Sequence, residues 1–181
     1  MTINAVLLVV LSAWVLQRGL AARAPVAAGV VTSPTPTPSR IPIPTREDIL
    51  ATTGQRFGLS APEVPWSSVE INRIAERAGV VPTMLQFFVH WSDPMRFDAI
   101  PASYAKGAIP VISWEPWAGR AAGEDQPEYA LSRIIAGEFD DYLTAVATGI
   151  RDQQYPVVIR FAHEMNGHWY PWSEQRSGNR P

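Results

Sequence analysis

The sequence predicts an α/β fold with a parallel sheet, in the form of a (β/α)8 TIM barrel of which about the first four β/α units are present. Three observations predict it. From about residue 56 onward, short apolar runs rich in β-branched and aromatic residues alternate with stretches of helical periodicity. Such alternation implies crossover connections and parallel strands. With Phe57, Met84, Val111 and Ile159 as strand centres, the spacings are 27, 27 and 48 residues. The 127 residues from Gln55 to Pro181 therefore hold about four units of a barrel that takes about 250 residues, or about 31 per unit. A four-unit open sheet of flavodoxin type is the alternative, but no glycine-rich phosphate loop follows the first strand.

The amino end precedes this fold. Residues 5–16 are apolar apart from Ser12, a run of 12; a spanning helix needs about 20 apolar residues and the core of a signal peptide only about 7–15. Ala22-Arg23-Ala24 supplies a small-x-small cleavage pattern, and Val26-Ala27-Ala28 could serve instead, although no Lys or Arg precedes the run. Residues 1–24 are read as a signal peptide, with an uncleaved anchor as the alternative, so the expected location is secreted or cell-surface. Residues 25–45 read as a Pro/Thr-rich linker around Ser33-Pro34-Thr35-Pro36-Thr37-Pro38. Proline fixes φ and removes a donor, which keeps such a stretch extended. Residues 46–181 are the folded domain.

Within that domain, strands are expected at residues 56–59, 83–89, 108–114 and 156–162, the clearest being Val157-Val158-Ile159. Ser67-Ser68-Val69-Glu70 has capping-box spacing, and Ile71, Ile74, Ala75 and Ala78 follow at helical intervals before Gly79 stops the helix. A short helix is expected over residues 99–106, ended by Gly107. Another carries Phe139, Tyr142, Leu143, Val146 and Ile150 on one face. The extra length of the last spacing falls between Trp114 and Gly137, after a strand and before a helix. In a β/α barrel that is the face bearing the active site.

Composition narrows the function. At 46% apolar and 18% charged residues the chain is globular rather than disordered. The absence of cysteine excludes a disulfide framework, a thiolate zinc site and a lipidated cysteine. A net charge of −2, with all 17 acidic residues after position 44, gives no basic face for nucleic acid. No obligate protein partner is implied.

The chemistry lies in Arg160-Phe161-Ala162-His163-Glu164-Met165-Asn166-Gly167-His168-Trp169-Tyr170-Pro171-Trp172, which begins in the fourth strand and ends in an aromatic turn. His163-Glu164-x-x-x-His168 superficially resembles a zinc-protease motif, but a spacing of five turns the histidines about 140° apart at helical pitch. Only His90 remains as a third histidine, so no metal site and no cofactor is expected. Aromatics point elsewhere. Trp114, Trp117, Trp169 and Trp172 sit just beyond two strands in Trp-Glu-Pro-Trp and Trp-Tyr-Pro-Trp, where flat rings suit the apolar faces of sugars. Trp66 is expected in the core. Glycoside hydrolysis typically uses two carboxylates.

The run Arg160 to Gly167 followed by Trp169 resembles the fourth-strand signature of glycoside hydrolase family 26, and Ile112-Ser113-Trp114-Glu115-Pro116-Trp117 is similar to actinobacterial-type members on the third strand. The resemblance covers Gln55 to Pro181, the first half of that family's (β/α)8 catalytic domain, so residues 46–181 would be a partial catalytic domain. The family is known mainly for secreted β-mannanases, and some members cut mixed-linkage β-glucan. The resemblance implies a retaining glycoside hydrolase; the motif does not itself carry the substrate, and β-1,4-mannan-type polysaccharide is the leading expectation. A β-glucan- or xylan-active relative and a non-catalytic carbohydrate-binding surface protein remain as alternatives.

The resemblance also implies roles. Glu164 matches the general acid/base, and His163 the residue preceding it, which binds sugar or orients its neighbour. Trp114, Trp117, Trp169 and Trp172 would line the cleft, with Asn166 and Arg160 in support. The family's nucleophile, a Glu ending the seventh strand, is absent from this chain, so the 181 residues alone are expected to be inactive. Two expectations come from geometry. Strand alternation puts Arg160 and Glu164 on one face and His163 on the other, so both His163 and Glu164 reach substrate only if a bulge or sharp turn follows Ala162. An inward, buried Arg160 needs a carboxylate partner, either as a structural ion pair or to orient the nucleophile.

Overall fold

The structure is a computed structural model that describes residues 42–179. The expected signal peptide (1–24) and all but the last residues of the expected linker (25–45) lie outside the described residues.

A helix that the sequence reading did not anticipate opens the described chain: α1 (Arg46–Ala51). Thr45 caps it reciprocally, its hydroxyl accepting from the Asp48 amide at 3.1 Å while the Thr45 amide donates to Asp48 Oδ2 at 2.9 Å. Then follow β1 (Gly58–Ser60), α2 (Ser68–Ala78), β2 (Met84–His90), α3 (Ala99–Tyr104) and β3 (Ile109–Glu115). A long connection with two 3₁₀ turns leads to α4 (Leu131–Ile135), α5 (Asp140–Asp152) and β4 (Val158–Phe161).

Local chemistry explains the boundaries. Ser67 caps α2 by accepting from the Glu70 amide at 3.1 Å, and Gly79 ends it at φ 68°. Only half of the expected capping box forms, because the Glu70 carboxylate turns to Arg73 at 2.6 Å instead of returning to the cap. The helix expected over residues 99–106 stops at Tyr104, and α5 matches the periodicity read around Val146.

The four strands are parallel and lie in the order β1-β2-β3-β4. A flavodoxin-like sheet would place β1 between β2 and β3, so the sequential order removes that alternative and fits part of a barrel wall. Side chains alternate across the sheet, and the register sorts them. Leu59, Leu85, Phe87, Val89 and Ile112 face the helices, packing with Ile71 and Ile74 of α2, Ala99 and Ile100 of α3, and Ile150 of α5. The opposite face carries Gln86, Phe88 and His90 of β2, Ser113 and Glu115 of β3, and Arg160 of β4. One face is therefore a hydrophobic layer, and the other gathers most of the sheet's polar groups. β3, the most enclosed strand, is buried at every residue but Trp114.

Candidate active site

The fourth strand ends abruptly. Phe161 is its last residue, and the next positions take left-handed conformations at Ala162 (φ 45°) and Glu164 (φ 53°). Each costs an L-residue about 1–2 kcal/mol, so surrounding contacts must hold the turn. The Ala162 amide donates to the Trp114 carbonyl at 3.1 Å, and the Gly167 amide to the Glu164 carbonyl at 2.9 Å. The buried indole of Trp172 donates to the His163 carbonyl at 2.7 Å. A sharp turn was required for His163 and Glu164 to escape strand alternation, and here it begins at Ala162 itself. His163 is consequently buried at 6% exposure, while its neighbour Glu164 is exposed.

Trp169 orients the exposed carboxylate. Its Nε1 donates to Glu164 Oε2 at 3.1 Å, leaving Oε1 free of that contact. Gly167 makes room for it: a Cβ there would lie 2.6 Å from the indole ring.

Behind the turn lies a network that the sequence reading only partly anticipated. Glu115 ends β3 at 3% exposure. Its Oε2 meets His90 Nε2 at 3.0 Å and accepts from Trp117 Nε1 at 3.3 Å, while Oε1 lies 3.6 Å from His163 Nε2. His163 Nε2 also pairs with the Tyr170 hydroxyl at 3.1 Å. His163 Nδ1 is buried without a partner among the described residues, so a proton on Nε2 lets the ring donate to the Tyr170 hydroxyl. Burial raises the Glu115 pKa, opposed by the Trp117 hydrogen bond and the charges of His90 and Arg160. Burial lowers that of His163, reinforced by Arg160 and opposed by Glu164.

His90 and Tyr170 were missed. The available signal was positional: His90 ends β2 and is the register partner of Glu115, so two polar residues meet at adjacent strand ends. Gly119, at φ 80°, lets the chain pass close to this histidine, since a Cβ there would come within 2.9 Å of His90 Nδ1.

The tryptophans distribute differently from expectation. Trp114 lies on the helix-covered face, with its Nε1 donating to Tyr142 at 3.1 Å and its ring among Trp91, Tyr142 and Phe161. Strand parity is the reason, since its neighbour Glu115 takes the other face. Trp117 and Trp172 are buried at 5% and 2% with Ala162, and Trp172 stacks on Tyr170 at 4.3 Å and 10°. These three form supports rather than an open cleft wall. Trp169 is 38% exposed. Trp66, expected in the core, is 41% exposed.

Arg160 also departs from expectation. It is half-buried and donates to the Ser113 hydroxyl at 3.3 Å, with no carboxylate at ion-pair distance among the described residues. Its charge is felt by Glu115 and His163 at longer range. Asn166 sits exposed in the turn. Among the described residues no three His, Asp or Glu side chains gather as a cation site.

The loops after β3 and β4 brace each other. Gln126, 1% exposed, accepts from the Ala118 amide at 2.7 Å and donates to the carbonyls of Gly119 and Gly123. Its own amide donates to Ser177 Oγ at 3.0 Å. Asn179 accepts from the Leu131 amide at 2.8 Å and donates to the carbonyls of Pro171 and Ser173. The long connection after Trp114 thus clamps the segment that follows Glu164.

The arrangement is an exposed carboxylate at a strand's carboxyl end, backed by buried aromatics and a buried histidine. The model of the family described as glycosyl hydrolase family 26 matches residues 73–181, and the chain belongs to that family. The chain is similar to Endoglucanase H of Acetivibrio thermocellus, 33% identical over 88 residues, which is 48% of this chain and 9% of that protein. The chain therefore spans about a tenth of the length of the curated relative it matches.

Proposed function

We propose that the protein is a secreted retaining glycoside hydrolase acting on β-1,4-mannan-type polysaccharide, with Glu164 as general acid/base. The observation that carries this reading is the strained turn at Ala162 and Glu164, which exposes Glu164 while burying His163 beside it. In the first step the Glu164 carboxylic acid protonates the glycosidic oxygen as the C–O bond breaks and a second carboxylate bonds to the anomeric carbon. In the second, the Glu164 carboxylate takes a proton from water as water displaces that carboxylate. Trp169, holding Oε2, keeps the group aimed. No cofactor is needed.

The second carboxylate is assigned to a strand beyond β4, in a complete (β/α)8 barrel. Glu115 is unsuited to that role, being 3% exposed with its oxygens engaged by His90 and Trp117. The 181 residues alone are accordingly expected not to cleave polymer. Residues 1–24 are assigned as the export signal, which amino-terminal sequencing of the secreted product tests.

A second reading, β-glucan as substrate, is favoured by the similarity to a protein called Endoglucanase H. Reducing-sugar release from β-mannan, mixed-linkage β-glucan and xylan by the full-length protein separates the readings. Glu164→Ala should lower the rate on the preferred polymer by about 10²–10⁴-fold. Full activity in that variant refutes the assignment. Polymer binding without hydrolysis of any of the three by the unmodified full-length protein favours a carbohydrate-binding role.

A further inference from the structure

A concavity lined by an exposed tryptophan lies at the carboxyl ends of β1 and β2. Trp66, in the connection from β1 to α2, is 41% exposed. The Arg96 guanidinium, from the connection after β2, lies over its ring at 5.0 Å from the centroid. With Ser60, Gln86 and Phe88 they line a concavity of about 420 Å³, within the about 300–1,000 Å³ typical of small-molecule sites. The cavities beside α1 are lined instead by Thr83, Ala108, Ile109, Val157 and Val158, at the strands' amino ends, away from the chemistry of a β/α barrel.

Two connections join this concavity to the acid/base turn. Phe88, 49% exposed, lines it and also meets the His163 ring edge-on at 5.7 Å. Gln86 Nε2 donates to Ser113 Oγ at 2.9 Å, and Arg160 donates to the same oxygen at 3.3 Å. An apolar ring and a polar row therefore run across one sheet face from Trp66 towards β4.

We propose that Trp66 and Arg96 form a distal sugar subsite that binds a neutral pyranose unit of the same polysaccharide chain that is cut at Glu164. A pyranose presents an apolar C–H face to a flat ring and a rim of hydroxyls to polar groups. Trp66 supplies the part of its ring that Arg96 leaves exposed, and the Arg96 guanidinium donates to the hydroxyls. The proposal rests on the reading of Glu164 as acid/base and adds substrate length to it. A chain long enough to span both sites gains the Trp66 contact, and a disaccharide at Glu164 does not.

The test uses the full-length protein with mannohexaose, a mixed-linkage β-glucan hexasaccharide and the corresponding disaccharides. Binding is measured in a Glu164→Gln background so that the ligands survive. The Trp66 indole N–H is followed in proton–nitrogen correlation spectra, assigned by its loss in Trp66→Phe. The expected result is a shift of that resonance with a hexasaccharide and none with a disaccharide. Trp66→Ala should weaken hexasaccharide binding about tenfold, the size of one lost aromatic contact, and raise KM on polymer with kcat unchanged. Trp66→Phe, which keeps a flat face, should retain most of the affinity, so that misfolding is told apart from loss of the platform. Hexasaccharide binding that leaves the Trp66 resonance unmoved, or that survives Trp66→Ala, overturns the proposal, as does failure of both hexasaccharides to bind. Cleavage undiminished by Glu164→Gln, with the Trp66 resonance still shifting, refutes the acid/base reading and leaves the subsite standing.

Discussion

The turn that presents Glu164 depends on one buried indole, and Trp172→Phe tests it. Left-handed backbone at Ala162 and Glu164 stores about 2–4 kcal/mol for the pair. The 2.7 Å bond from Trp172 Nε1 to the His163 carbonyl ties down the residue between them. Phenylalanine keeps most of the buried ring but leaves that carbonyl unpaired, at about 1–3 kcal/mol. The loss is comparable to the strain being restrained, so the turn should relax and swing Glu164 away from its aimed position. Urea unfolding should show about 2–4 kcal/mol of lost stability once the smaller ring is included. Initial rates on polymer should fall about 10²-fold, the scale of a misplacement near 1 Å. Ala162→Gly is the companion variant. It relieves about 1–2 kcal/mol of strain and loses about 0.8 kcal/mol from a buried methyl group, a net gain of at most about 1 kcal/mol. In combination with Trp172→Phe it should restore part of the activity, because glycine adopts φ 45° without strain. A Trp172→Phe protein within about 0.5 kcal/mol of the parent and with unchanged rates would refute this account.

Three further outcomes follow from the same contacts. Burial raises the Glu115 pKa, so the folded chain binds that proton more tightly than the unfolded chain. The resulting stability is complete below the ordinary value of 4.5 and is lost as pH rises through the raised one; Glu115→Gln should flatten the fall in urea midpoint between those two values, and an unchanged slope there would contradict it. Gln126→Ala removes three side-chain hydrogen bonds from a site 1% exposed, so stability should drop by about 2–4 kcal/mol and limited proteolysis should open the connection after Trp117, whereas a protease-resistant loop would refute the clamp. Trp114→Ala should cost about 3–5 kcal/mol with KM on polymer unchanged; a raised KM at undiminished stability would return Trp114 to the cleft.

Much of the architecture was legible because local rules and the tertiary fold agree. Ser67 and Gly79 bound α2 where capping chemistry places them, and the four apolar runs are the four strands within two residues at either end. The need for a turn near Ala162 was also legible, since two adjacent residues cannot both leave one face of a strand. Helix α1 was not, because six residues behind a proline-rich stretch carry too little periodicity to register. Nor was the separation of Trp114 from Glu115. Strand β3 is apolar at both parities, so its pattern does not say which face meets the helices.

By itself the sequence determined an α/β fold with parallel strands and the motif that follows the fourth of them, since these depend on spacing and residue type along the chain. Only the tertiary structure decided which aromatics are supports and which are open, that Arg160 meets a hydroxyl, and that Glu115 joins His90 and His163. Those outcomes depend on contacts between residues far apart in sequence, 25 positions for His90 and Glu115 and 47 for Ser113 and Arg160, and no local pattern encodes such distances. The register of neighbouring strands brings each pair together, and burial there raises the Glu115 pKa.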